Sequence, residues 1–105
     1  MSSPAFSYDL DQDRSLLVVR GDLDEPATIE LRETLVKATE ELRSPLAVDL
    51  TEVTFMPSPA IGVLATSQDR ARRNGADLTL VAAPGSMAAR LLTICAIDHV
   101  DALGA

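Results

Sequence analysis

The chain holds one cysteine, one histidine, no tryptophan and only 3% aromatic residues, and each scarcity removes a class of function. A single thiol, Cys95, cannot form an internal disulfide, and Cys95 with His99 is too small a set of soft ligands for an all-protein zinc site. With so few aromatics and no Lys/Arg stripe, both the stacking platform and the phosphate-neutralising patch of a nucleic-acid binder are missing. Apolar runs fall well short of the ~20 residues that span a bilayer, and Met1-Ser2-Ser3-Pro4 lacks the basic flank and apolar stretch of a secretory signal. A soluble, cytoplasmic protein is the expectation.

What is present is globular composition: 105 residues, 47% hydrophobic and 24% charged, with net charge −7. That length supports one core and one domain spanning residues 1–105, with only the first few residues expected to fray. The charge is lopsided. Residues 1–53 carry 12 acidic and 5 basic groups, while residues 54–105 carry 4 of each.

Phe6 to Leu10 alternates apolar and polar, and Leu16 to Val19 follows the turn-like Asp11-Gln12-Asp13, which predicts a hairpin with Gly21 ending its second strand. Pro26 suits the first turn of a helix, and Thr28, Leu31, Leu35, Ala38 and Leu42 fall on one helical face. Ser44-Pro45 breaks that helix before a short central strand, Leu46 to Leu50; Leu78 to Ala82 repeats the pattern. Between them Ser58-Pro59 opens a helix to Arg73 that stops at Asn74-Gly75, and a last helix runs from about Ser86 to Cys95. Helical crossovers between the later strands imply parallel pairing, so the predicted class is α/β: one compact domain, a mixed sheet packed with amphipathic helices.

Two stretches resemble the STAS family: Gly21-Asp22-Leu23-Asp24, and Val48-Asp49-Leu50 followed by Phe55-Met56-Pro57-Ser58-Pro59-Ala60-Ile61-Gly62-Val63-Leu64. The family pattern is roughly G-x-L-D, then D-L and F-I-D-S-S-G-L-G-V-L. Gly21, Leu23, Asp24, Asp49, Leu50, Phe55, Ser58, Gly62, Val63 and Leu64 match it. The resemblance implies a bacterial anti-sigma factor antagonist in a partner-switching pathway of transcription regulation. It further implies Ser58 as phosphoacceptor for an anti-sigma factor with an ATP-binding kinase-type domain. ATP and magnesium would belong to that partner, and no cofactor of the chain's own is implied. Three departures stand at the critical loop: Pro57 replaces the family's aspartate, Pro59 its second serine and Ala60 its glycine.

The residues themselves allow a plainer reading. Ser58 before Pro59 is a strong helix start in which the serine oxygen caps a free N–H. A phosphate there would sit at the positive end of a helix dipole. Because Pro59 has no N–H, the phosphate would rely on the amides of Ala60 and Ile61, and Pro57 brings no carboxylate, which predicts slow or absent phosphotransfer.

The expected partner surface is Asp24 with Met56, Pro57, Ser58, Pro59, Ala60, Ile61 and Gly62. Asp24 doubles as a helix cap. Met56, Pro57 and Pro59 would form an exposed apolar loop, and Gly62 inside a helix suggests close approach of a strand or partner. Asp49 is expected to hold a structural hydrogen bond, Cys95 to be a buried inert thiol, and Arg70, Arg72 and Arg73 to answer the dipole at a helix end. No glycine-rich phosphate loop or catalytic triad spacing is visible, so a binding module is expected rather than an enzyme. The alternative is a phosphorylation-independent STAS accessory subunit of an ABC transporter or signalling scaffold, and a homodimer stays open.

Overall fold

A computed structural model describes residues 4–103, and the expected fraying of the first few residues lies largely outside that range. Strands β1 (Ser7–Asp11) and β2 (Leu16–Asp22) form the expected antiparallel hairpin, with Ser7 opposite Arg20 and Asp11 opposite Leu16. In β2 the buried residues Leu17, Val19 and Gly21 alternate with half-buried Leu16, Val18 and Arg20. On that second face Arg20 reaches Asp9 at 2.6 Å and Glu52 at 3.2 Å. The hydrogen bond to Asp9 is the main cause holding the guanidinium pKa above its ordinary value. An exposed network of this kind adds little stability.

Helix α1 (Glu25–Ala38) buries Ala27, Thr28, Leu31, Thr34 and Leu35. It ends one turn before the predicted stripe does. Fully buried Thr39 donates its hydroxyl to the Leu35 carbonyl at 2.5 Å and accepts the Leu42 N–H at 2.8 Å, which folds the chain back. Glu40, Glu41 and Leu42 all take left-handed φ values, 49°, 63° and 63°. Leu42 therefore enters the core from a turn rather than from the helix. Thr39→Val should cost about 1–3 kcal/mol, since it leaves the buried Leu42 amide unpaired; urea unfolding measures it, and an unchanged midpoint would count against this role.

Strand β3 (Leu46–Phe55) is twice the expected length and pairs in parallel with both β2 and β4 (Leu78–Val81), giving the order β1-β2-β3-β4. Its register slips against β2: Val18 faces Asp49, but Arg20 faces Glu52. The extra residue lets Thr51 and Glu52 both leave the core while Leu50 and Val53 stay in it. A second slip between Gly21 and Asp22 brings Asp22 opposite Phe55. These slips decide which way the chain leaves β3.

Helix α2 (Ser58–Arg73) stops as expected at Asn74-Gly75. Gly75, at φ +80°, donates to the Arg72 carbonyl, and Ala76 donates to that of Ala71, the two bonds of a Schellman turn. Helix α3 (Met87–Ile94) is capped by Ser86, which accepts the Ala89 N–H at 3.1 Å. It buries Ala88 and Leu92 in the one core that also holds Leu17, Leu35, Leu50, Leu64 and Leu80.

The free edge of β4 is closed by side chain and tail. Gln68 donates to the Leu78 and Asp98 carbonyls, and Val100 exchanges bonds with Leu80 and Ala82. No described helix is long and apolar enough to cross a membrane.

Candidate functional site

Because β2 and β3 run parallel, the helices that follow them both start at the same end of the sheet. Leu23 donates its N–H to the Phe55 carbonyl at 2.8 Å and ties the two exits together. Asp24, exposed, caps α1 by accepting the Ala27 N–H at 3.0 Å, as expected of it. Thr28 supports the turn by donating both its N–H and its hydroxyl to the Asp24 carbonyl.

The second exit differs from the sequence expectation in its most important residue. Ser58 is the first residue of α2, not its cap; Pro57 takes the cap position with extended backbone and no side-chain hydrogen bond, and Pro59 is second in the helix. The hydroxyl is therefore exposed and released from capping. The amides expected to receive a phosphate are otherwise engaged, since Ala60 and Ile61 both donate to the Pro57 carbonyl, at 2.9 and 3.1 Å.

The surface around Ser58 is also redrawn. Met56 and Ala60 are buried, at 4% and 0% exposure, so they belong to the core rather than to a partner contact. Pro57 and Ile61 are half-buried, and Pro59 and Gly62 are exposed. The neighbour that sequence reasoning did not select is Phe55, 49% exposed at the end of β3. Its alternation with buried Val53 points inward, and only the register slip turns it out. A Cβ on Gly62 would meet nothing within 4 Å, so no strand approaches it.

Other candidates fall away from this rim. Asp49 lies in the middle of β3, half-buried, and accepts the Thr51 N–H at 3.0 Å. Cys95 is exposed, contrary to expectation: α3 ends at Ile94 and Ala96, at φ 57°, turns the chain away before the buried stripe reaches it. The three arginines at the end of α2 are divided in use. Arg72 pairs with Asp98, Arg73 pairs with Asp69, and Arg70 lines a hollow between α1 and α2. His99 places Nδ1 2.9 Å from the Ile97 carbonyl. Among the described residues no cluster of His, Cys, Asp or Glu is placed to hold a metal ion.

The rim is thus two helix starts, one exposed aromatic, one serine hydroxyl that caps nothing and a bare glycine. Comparison with known proteins agrees with the fold beneath it. The solved anti-sigma factor antagonist SpoIIAA in its unphosphorylated form superposes with TM-score 0.65 at 16% identity, over 89% of this chain and 82% of that one. The Bacillus cell fate determinant SpoIIAA in its phosphorylated form gives 0.62 at 18% identity, over 87% and 83%. The family model described as Mlab, STAS domain matches residues 6–103, from the start of the hairpin to beyond the segment that closes β4, and on that match the chain belongs to the STAS family.

Proposed function

We propose that this domain is a non-catalytic docking module of the anti-sigma factor antagonist type, which binds an ATP-binding anti-sigma factor through Phe55, Pro57, Ser58, Pro59, Ile61 and Gly62, with Asp24 beside them. The observation that carries this reading is the Ser58 hydroxyl, exposed and uncapped at the first position of α2. A protein of the same fold is described as an anti-sigma factor antagonist in both unphosphorylated and phosphorylated forms. Phosphorylation of Ser58 would put about −1.5 to −2 charges onto the docking rim without touching the core. The partner supplies ATP and magnesium.

The occupied amides of Ala60 and Ile61 favour a second reading, a constitutive accessory subunit of an ABC transporter or scaffold. Phosphotransfer separates the two. The protein retained from a lysate by the wild-type domain is incubated with the domain and ATP, and Ser58 is examined by mass spectrometry. A phosphorylated Ser58 supports the switch; an ATP-competent partner that leaves it unmodified supports the accessory role.

Gly62 provides an independent check on the rim. It sits inside α2, where glycine weakens a helix, and its surroundings are open. Gly62→Ala should stabilise the free domain by about 0.5–1 kcal/mol while weakening partner binding, because a partner backbone close to the glycine would meet the new methyl. Thermal unfolding and affinity measured together test it. Unchanged affinity would remove Gly62 from the interface.

A further inference from the structure

A groove of about 500 Å³ runs between α1 and α2, starting at Pro59 and Gly62 on the rim. Its apolar lining includes Val36, Leu42 and Val63, and Arg32 and Arg70 line it from opposite helices. Four other surface hollows balance their cations. Lys37 shares its two hollows with Glu30, Glu33 and Glu40, Arg72 sits with Asp77 and Asp98, and Arg90 with Asp101. This groove has two arginines and no carboxylate, on a chain of net charge −7. The acids next to the two arginines are directed away: Asp69 is bonded to Arg73, and Glu33 lines the hollow on the other flank of α1 beside Tyr8.

From this charge pattern we infer that the groove holds an acidic, amphipathic segment of the protein partner, its carboxylates on Arg32 and Arg70 and its apolar side chains against half-buried Val36 and exposed Pro59, over a floor closed by buried Leu42 and Val63. Guanidinium forks match carboxylates bidentately, and an apolar floor between them rewards a segment that alternates the two chemistries. The inference rests on the docking reading above and extends it: Pro59 and Gly62 join the Ser58 rim to the groove, so one partner covers both. Ile29, 49% exposed and one turn before Arg32, continues the apolar surface towards the rim. Free polyanions are a poorer occupant, because the acidic first half of the chain repels them and the floor offers them nothing.

A display library of random peptides selected against the whole chain tests this directly. Enriched peptides should combine Asp or Glu with apolar residues at helical spacing. They should bind the Arg32→Glu/Arg70→Glu variant at least about tenfold more weakly and lose affinity as salt rises. Arg32→Gln/Arg70→Gln should fall between the two, and circular dichroism should show all three folded. Enrichment of basic or uncharged peptides, or equal binding to the charge-reversed variant, would overturn the inference. So would concentration-dependent self-association of the chain that charge reversal removes, since a second copy would then be the occupant. The peptides contain no anti-sigma factor, so the groove stands or fails independently of Ser58, whose role is read from partner capture.

Discussion

Gly21→Ala is expected to destabilise the domain by about 2–5 kcal/mol and to lower its melting temperature by roughly 10–20 °C. Two penalties combine at this position. The backbone is left-handed, at φ +84°, and a Cβ built there would lie 2.2 Å from the Ala5 carbonyl oxygen and 2.7 Å from its carbon. Both are backbone atoms, so no rotamer relieves the clash. The segment is also held in place, because Asp22 donates its N–H to the Pro4 carbonyl at 3.0 Å. Gly75 supplies the control. It has nearly the same φ, +80°, but nothing within 4 Å, so Gly75→Ala should cost only the conformational share, about 1–2 kcal/mol. If denaturant titration gives the two variants equal losses, residues 4–6 move aside freely and the steric part of this account is wrong.

Ser58→Asp is expected to weaken partner binding by at least about a hundredfold, close to 3 kcal/mol, while leaving the fold intact. An exposed carboxylate at the first position of α2 meets the positive end of the helix dipole, which should hold the melting temperature steady or raise it slightly. The same charge would be trapped on the rim when a partner covers Phe55 and Pro59, and an uncompensated buried charge costs far more than a surface ion pair returns. Ser58→Ala separates the two roles of the hydroxyl. A capping serine would lose about 1 kcal/mol on truncation, whereas this uncapped one should change stability by no more than about 0.5 kcal/mol and should bind in full. Calorimetric titration with the captured partner, alongside thermal unfolding of both variants, gives the answer. Equal affinity of wild type and Ser58→Asp would refute control through Ser58.

The order of elements, the parallel pairing and the Asn74-Gly75 stop could be read in the sequence because each depends on local periodicity or on a turn residue with its own backbone preference. Asp24 as a cap was legible for the same reason, since its bond to Ala27 spans only three residues. The docking rim was only half legible. The loop after β3 announced itself through its prolines and its likeness to the STAS pattern, but whether a given side chain there faces the core or solvent was undetermined. Two register slips between β2 and β3 set the exit angle, so that Met56 and Ala60 go inward while Phe55 and the Ser58 hydroxyl go outward. Periodicity along one strand cannot encode a slip that exists only against its neighbour. The pairing of Arg32 with Arg70 across a groove is of the same kind, brought about by packing α1 on α2. Local chemistry alone therefore determined which elements this chain builds; long-range packing decided which of its residues are left free to meet a partner.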